Sequence, residues 1–276
     1  VIVWIFQLIM NGLMHKYDIV QIESFSLLRT LVLFILLRPF SRRFIIVFHD
    51  KYFEQDPRTS ITGKLQLFLQ RILLNLSDIL VVPGISVKKW FEELHGELVG
   101  KKTVVIPNGA PNIAVNENID YLQLRKKNGI PLKAYVALFF GFMYFKPNLE
   151  SAMYLYKISN YICSSFEKIT GRKLVFVIAG IGSEVFPKTE YFIPLGFIEK
   201  LDELLSLPDV IVLPHTRSYS GPHVKLLYAF LSKKPVIASE DAVKDTPYIY
   251  PKRHFMLFNI ENPDTLLDAI LELYYD

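Results

Sequence analysis

Apolar and polar positions along the first part of the chain follow two alternating periods, which predicts strands and helices in turn. Short runs rich in β-branched and aromatic residues, typical of strands, lie at 17–22, 44–48, 77–82 and 103–106. Longer segments with helical spacing lie between them, at 26–38, 65–76 and 86–95. Strands that alternate with helices in this way favour a parallel sheet covered by helices.

The alternation stops at 110–118, where Pro, Asn and Ala dominate, and it restarts after a short predicted helix at 121–127. Further strands are predicted at 134–140, 173–179, 191–195, 209–214, 236–238 and 255–258, with helices at 147–161, 201–206, from Pro222 onward, and at 262–275. We therefore predict an α/β protein with two Rossmann-like, doubly wound domains, residues 1–128 and 129–276. Ligands are expected in the crevice where the strand ends of the two domains face each other.

Composition and charge narrow the function classes. The 276 residues are 51% hydrophobic, enough for sizeable cores, and the net charge of +4 is too small to indicate nucleic-acid binding. Charge is uneven, with a net +5 over 1–128 and −1 over 129–276, so an anionic partner is expected on the first half. The single cysteine, Cys163, excludes a disulfide framework and suits a reducing cytoplasm.

The predicted helix at 26–38 leaves two interpretations open. Its apolar run at 31–37 is too short to span a membrane, and Arg29, Arg38, Arg42 and Arg43 flank it. The helix is either packed on the sheet or part of a basic, apolar patch that contacts the inner face of a membrane peripherally. The apolar run at 1–10 is predicted to be a core element.

Two strand ends carry candidate binding chemistry. The strand at 209–214 leads into Ser220, Gly221, Pro222 and His223, and Lys225 follows in the first turn of the predicted helix. A helix N-terminus with a glycine and a lysine is suited to bind an anion such as phosphate. His49 stands directly after the strand at 44–48, at the sheet edge where ligands bind in parallel α/β proteins.

In their order, several segments resemble the GT-B glycosyltransferases, specifically the GT4-like group that uses nucleotide-sugar donors. The matching segments are 47–50 (VFHD), 106–109 (IPNG), 140–148 (FGFMYFKPN), 178–182 (IAGIG), 195–197 (LGF), 209–214 (DVIVLP), 220–225 (SGPHVK) and 234–237 (KPVI). The resemblance runs over nearly the whole chain and is strongest in its second half.

The resemblance implies a donor site for a nucleotide sugar, held mainly by the second domain. The pyrophosphate would lie against Ser220, Gly221, Pro222 and His223, with Lys225 and Lys146 on the phosphates and His49 orienting the sugar. Gly141 and Phe142 would lie beneath the donor, and Gly180, Gly196 and Phe197 near the nucleoside. The reaction would retain the anomeric configuration and need no metal or other cofactor. The acceptor would be a lipid-linked sugar, a polysaccharide or a protein.

The sequence departs from the family pattern at the predicted ribose site. Tyr228 stands where many relatives have a glutamate, and Ser220 stands where others have a further acid. A phenol can bond a hydroxyl but brings no charge. An early glycine-rich turn and a long C-terminal helix, both usual in the family, are missing from the sequence. The chain would be a fragment or a reduced version of the fold.

These departures keep two other functions open. One is a catalytically degenerate GT-B protein that binds a nucleotide sugar or a partner. The other is a sugar-nucleotide epimerase, which shares the architecture but needs a pair of acid/base carboxylates in the crevice.

Overall fold

The computed structural model describes residues 2–24, 26–49, 60–110, 119–215, 224–246 and 249–276, with side chains from residue 7 onward. The chain forms two compact units, and the division between them falls between Asn108 and Gly109. Each unit has its own parallel sheet and its own hydrophobic core.

Within its described residues, the first unit is built on four strands joined by helices. The strands are β1 (Tyr17–Ser24), β2 (Ser41–Phe48), β3 (Ile79–Val82) and β4 (Thr103–Val105). The helices are α1 (Ile2–Met14), α2 (Leu27–Leu37), α3 (Ile61–Leu76), α4 (Ile85–His95) and α5 (Glu97–Lys102). The described strands are all parallel and follow the order β1-β2-β3-β4.

Side-chain alternation on the strands explains the core of the first unit. On β2 the side chains of Phe44, Ile46 and Phe48 are fully buried, whereas Ile45 and Val47 are only partly buried. Successive strand residues point to opposite faces, so one face of the sheet carries the core. The helices that join adjacent parallel strands in this order cover the same face, because such crossovers are right-handed.

The described part of the second unit contains six strands. They are β5 (Tyr135–Phe140), β6 (Leu174–Ala179), β7 (Phe192–Gly196), β8 (Val210–Leu213), β9 (Val236–Ser239) and β10 (Met256–Phe258). The helices are α6 (Tyr121–Lys127), α7 (Lys146–Thr170), α8 (Leu201–Ser206), α9 (Val224–Leu231), α10 (Glu240–Val243) and α11 (Asp264–Tyr275). Short 3₁₀ turns lie at Arg38–Phe40 in the first unit and at Ser183–Val185 in the second.

The second sheet has the strand order of a doubly wound nucleotide-binding domain. Its order is β10-β9-β8-β5-β6-β7, and the described strands all pair in parallel. The direction of progression reverses between β5 and β8, which is the switch point where such sheets bind ligands. All residues of β5, β6 and β8 are buried, as expected for strands covered on both faces. The predicted parallel α/β fold is confirmed.

Two elements differ from their predicted extent or burial, and a third falls in the other unit. α7 runs nine residues beyond the predicted end at 161, and it stops where Gly171 adopts a left-handed conformation with φ of 69°. The apolar run at 1–10, predicted to be a core element, lies in α1, where Leu8 and Met10 are exposed. α6, predicted within 1–128, is joined to the second unit because Arg125 bonds the backbone of Leu207 there.

Candidate functional site

The carboxyl edge of the second sheet brings together five of the predicted donor-binding residues. Gly141 and Phe142 follow β5, Gly180 follows β6, Gly196 ends β7, and Phe197 comes next. Parallel neighbouring strands end at the same edge, which is why residues far apart in sequence meet there.

The backbone at this edge is packed so closely that Gly180 leaves no room for a side chain. Gly180 N–H donates to the carbonyl of Gly196 at 2.7 Å, and a Cβ on Gly180 would lie 1.9 Å from the carbonyl oxygen of Gly141. Gly180 also has a φ of 123°, a conformation that other residues rarely adopt. The ends of three strands are therefore held against one another by backbone contacts.

A Gly180→Ala variant is expected to lower the free energy of unfolding by more than about 2 kcal/mol, because the methyl group collides with rigid backbone. Gly171→Ala is the matched control, since Gly171 also has a positive φ, of 69°, but nothing lies within 4 Å of its Cβ position. That control should cost only the conformational strain, about 1–2 kcal/mol. Urea unfolding of both variants measures the difference, and equal losses would contradict the packing argument.

A cavity of about 280 Å³ opens beside these glycines. Its lining includes Phe142, Gly180, Ile181, Phe197, Ile198 and Leu201. Phe142 and Phe197 are 51% and 62% exposed, so their rings offer apolar faces to a planar ligand. The cavity is suited to a flat, partly apolar group such as a nucleobase.

Lys225 lies in the first turn of α9 and is partly buried against the same edge. Its ammonium donates a hydrogen bond to Asn148 Oδ1 and stands 5.0 Å from the centre of the Phe139 ring. A Cβ on Gly141 would lie 2.8 Å from Lys225 Cε, so the lysine lies against the backbone after β5. Burial lowers the pKa of Lys225 to about 7, since the charged form loses its water shell.

Asn148 connects Lys225 to the loop that follows β5. Its Nδ2 donates to the carbonyl of Phe142 at 2.8 Å, while its Oδ1 accepts from Lys225. Asn148 belongs to the family segment 140–148, but no role was predicted for it. An asparagine in the first turn of a helix, three residues after the loop that follows β5, was the available signal.

Lys146 and Tyr228 lie in the same unit. Lys146 is the first residue of α7 and its side chain is exposed. Tyr228 lies three residues beyond Lys225 on α9, and its half-buried ring packs against the core of the second unit. The predicted residues Ser220, Gly221, Pro222 and His223 lie outside the described residues.

His49 belongs to the first unit, at the carboxyl end of β2. Its Nε2 lies 2.5 Å from Glu23 Oε2, near the end of the neighbouring strand β1. Both side chains are a little over 40% exposed. Glu23 was not predicted as a site residue, although an acid near the end of a strand that precedes β2 is a recognisable signal.

Solved structures share this fold at low sequence identity. Anabaena HepE, solved with UDP, has a TM-score of 0.70 and 15% identity, over 99% of this chain and 72% of its own. A glycosyltransferase from Rickettsia africae has a TM-score of 0.65 and 16% identity, over 94% and 66%. The pneumococcal O-GlcNAc transferase GtfA, solved with UDP and GlcNAc, has a TM-score of 0.63 and 15% identity, over 96% and 52%.

At this level of identity the likeness shows the GT-B fold alone. A comparison with curated proteins found no significant match. A family model described as glycosyl transferases group 1 matches residues 136–276, which is just over half of the chain and contains the whole carboxyl edge of the second sheet. The chain therefore belongs to the glycosyl transferases group 1 family.

Proposed function

We propose that the protein transfers a sugar from a nucleotide-sugar donor to an acceptor hydroxyl. The observation that carries the proposal is Lys225, a partly buried lysine beside a glycine-lined strand edge and an aromatic cavity. Burying an ammonium is costly unless it meets an anion. A diphosphate is the anion that this family's donors supply, and binding it would restore the charge on Lys225.

The proposed position of the donor on the second unit follows from the cavity and Lys225. The nucleobase would occupy the cavity between Phe142 and Phe197, and the pyrophosphate would reach Lys225, with Lys146 as a further cation. HepE was solved with UDP and also with UDP-glucose, which supports UDP-sugars as the first donors to test.

The transfer breaks the bond between the anomeric carbon and the diphosphate oxygen and forms a bond to the acceptor oxygen. The proton of the acceptor hydroxyl passes to the departing diphosphate. Negative charge develops on the departing diphosphate, so fixed cations beside it lower the barrier. Lys225 and Lys146 would supply those charges, and His49 would orient the sugar. We propose a retaining, metal-independent reaction, with a lipid-linked sugar, a polysaccharide or a protein as acceptor.

Donor binding tests this function directly. The full chain is titrated calorimetrically with UDP-, GDP- and ADP-sugars, and slow hydrolysis of each donor is followed without acceptor. We expect one nucleotide class to bind and to be hydrolysed. A folded protein that binds none of them would refute the donor site.

In a second proposed function, the protein binds a nucleotide sugar or a partner without catalysing transfer. Tyr228 is the residue that favours this alternative. Its ring packs on the core where many relatives have an acid for the ribose hydroxyls, so that contact lacks a charge. If this function is correct, the wild type binds donor without hydrolysing it and Tyr228→Glu gains turnover. Efficient turnover by the wild type would exclude it.

We further propose that the first unit contacts an anionic membrane through the outer surface of α1, α2 and α3, here named the three-helix face. α1 packs on α2 and α2 packs on α3. Large apolar side chains are exposed on all three helices: Leu8, Met10, Leu13, Met14, Leu28, Val32, Ile35, Ile61, Leu65, Phe68 and Leu76.

Charge on the three-helix face favours a lipid surface. The three helices contain Arg29, Lys64 and Arg71 but no acidic residue. Helical spacing places Arg29 beside Val32 and Lys64 beside Phe68. Exposed apolar residues interleaved with cations are typical of helices that lie on anionic membranes. None of the helices described is long and apolar enough to cross a bilayer.

Vesicle sedimentation is expected to retain the protein on anionic vesicles, such as phosphatidylcholine with 30% phosphatidylglycerol, and to release it at high salt. Each cation near the surface contributes about 1 kcal/mol, and salt screens that term. Phe68→Gln and Arg29→Gln should each weaken binding several-fold, whereas Lys89→Gln on α4 should not. Equal retention on neutral and anionic vesicles, or none at low salt, would contradict the proposal.

A further inference from the structure

The carboxyl ends of β1 and β2 carry a row of three hydrogen-bonded side chains. Gln21 Nε2 donates to Glu23 Oε1 at 2.8 Å, and Glu23 Oε2 lies 2.5 Å from His49 Nε2. Both oxygens of the Glu23 carboxylate are therefore engaged, one by an amide and the other by an imidazole. The row lies at the edge of the sheet where His49 is proposed to act.

Strand pairing and a buried contact hold Glu23 in place. Glu23 pairs with Val47 in the parallel register, two residues before His49. The next residue, Ser24, is buried, and its hydroxyl lies 2.8 Å from that of Thr30 on α2. Thr30 in turn donates to the carbonyl of Ser26 at 2.9 Å. The end of β1 is thus fastened to α2, and the carboxylate stands on a rigid element.

The contact has a defined effect on the imidazole. A carboxylate accepts hydrogen bonds and cannot donate, so the His49 nitrogen that faces it must carry the proton. This fixes the neutral ring in the Nε2–H form and makes Nδ1 the acceptor. It also fixes the plane of the ring, which decides where the other nitrogen can reach.

We infer that Glu23 is a positioning residue, which orients His49 for sugar transfer through the Glu23–His49 hydrogen bond. The inference rests on the proposed function, and it adds Glu23 to the residues proposed to act in sugar transfer. An exposed contact between polar side chains contributes little to folding stability. Loss of Glu23 should therefore change the tautomer and orientation of the His49 ring but have little effect on the free energy of unfolding.

The matched control lies on the same two strands. Asp18 on β1 pairs with Arg42 on β2 at 3.3 Å, and both side chains are more than 70% exposed. Asp18→Asn removes a β1 carboxylate at the opposite edge of the sheet. It should leave both the His49 ring and turnover unchanged.

The first experiment observes the ring itself. The protein is labelled with ¹⁵N-histidine and ¹H–¹⁵N spectra are recorded. A hydrogen-bonded Nε2–H exchanges slowly with water and gives a signal, and the signal that disappears in His49→Ala belongs to His49. We expect this signal in the wild type, in Asp18→Asn and in Glu23→Gln, because the glutamine oxygen still accepts the hydrogen bond, and we expect it to be absent from Glu23→Ala. Persistence in Glu23→Ala would overturn the inference without bearing on donor binding.

The second experiment measures donor turnover. Glu23→Ala is expected to lower kcat about tenfold with donor KM changed less than twofold, since misorientation of a reacting group acts on the chemical step. Glu23→Gln should recover most of that loss. In a His49→Ala background, Glu23→Ala should have no further effect, because Glu23 acts through His49.

The outcomes separate the inference from the proposed function. An equal loss from Glu23→Ala with and without His49 would mean a structural role and would refute the positioning role. A wild type that lacks donor turnover would refute the proposed function and the catalytic part of the inference. The ring signal would then still decide whether Glu23 holds His49.

Discussion

Replacing Lys225 by methionine is expected to stabilise the second unit near neutral pH and to weaken donor binding at the same time. The methionine side chain fills the same space as the lysine side chain, and it has no charge that would lose its water shell. The lowering of the Lys225 pKa from 10.5 to about 7 corresponds to roughly 4–5 kcal/mol. Losing the hydrogen bond to Asn148 offsets about 1 kcal/mol of this gain. The expected net gain in the free energy of unfolding is about 3 kcal/mol near pH 7.

The gain depends on pH in a way that identifies its cause. Between the folded pKa of about 7 and the unfolded value of 10.5, the unfolded wild type holds more protons than the folded protein. Wild-type stability therefore rises with pH through this window. The advantage of Lys225→Met should be full below pH 7 and should vanish as the pH approaches 10.5.

Donor affinity should change in the opposite direction. Loss of a hydrogen bond to a charged group costs about 1.5–3 kcal/mol, so Lys225→Met should raise the donor Kd by roughly ten- to a hundredfold. Calorimetry of the wild type at pH 8 should also show proton uptake on donor binding, because an anion favours the charged lysine.

Lys157→Met on α7 is the control for Lys225→Met, since Lys157 is exposed. It should change neither the unfolding free energy nor the donor affinity. Urea unfolding at several pH values and donor titration provide the two readouts. A Lys225→Met variant that binds donor as the wild type does would refute the role of Lys225 in phosphate binding.

Arg125→Met is expected to lower the free energy of unfolding of the second unit by about 3–5 kcal/mol. The Arg125 guanidinium is 2% exposed and donates to the carbonyl of Leu207 through Nε and Nη2, at 2.9 and 2.7 Å. It also bonds Asp209 at 2.9 Å and the carbonyl of Ala134 at 3.3 Å. Methionine would leave these acceptors without the guanidinium, and unpaired buried acceptors are costly.

The two units can be followed separately in this experiment. Both tryptophans of the chain, Trp4 and Trp90, lie in the first unit. Tryptophan fluorescence therefore reports on the first unit, whereas far-UV circular dichroism reports on both. Arg125→Met should shift the dichroism transition to lower urea and leave the fluorescence transition in place.

Arg172→Met is the matched control for Arg125→Met. Arg172 also donates from Nε to a carbonyl, that of Lys133, at 2.9 Å, but this bond is exposed to solvent. Its loss should cost less than about 1 kcal/mol, because water replaces the donor. Equal effects of the two substitutions would contradict the account of Arg125 as the anchor of α6.

Much of the fold could be predicted from the sequence because buried strands are locally recognisable. The runs at 134–140 and 173–179 are almost wholly apolar, and they form β5 and β6 within one residue at each end. The end of α7 was predicted too early, because the helix continues through polar residues until Gly171 ends it. Helical continuation through such a segment depends on packing, which the local pattern does not record.

The site residues also divide into those that the local sequence pattern indicates and those that depend on tertiary contacts. Lys225, Gly180 and Gly196 could be placed at strand ends from the pattern and from family resemblance. Asn148 and Glu23 also lie near strand ends, but their roles could not be predicted, because these roles depend on which strand lies next to which. Gln21 and Glu23 form a pair within β1, but their link to His49 exists only through the β1–β2 register.

The sequence by itself determined the alternation of strands and helices, the parallel sheets and the residues at the strand ends, because these follow from local hydrophobic period and backbone preference. Only the tertiary structure decided the strand order of the second sheet, the burial that lowers the Lys225 pKa, and the anchoring of α6 by Arg125. Each of these depends on contacts between residues distant in the chain, and desolvation in particular is a property of the packed surroundings.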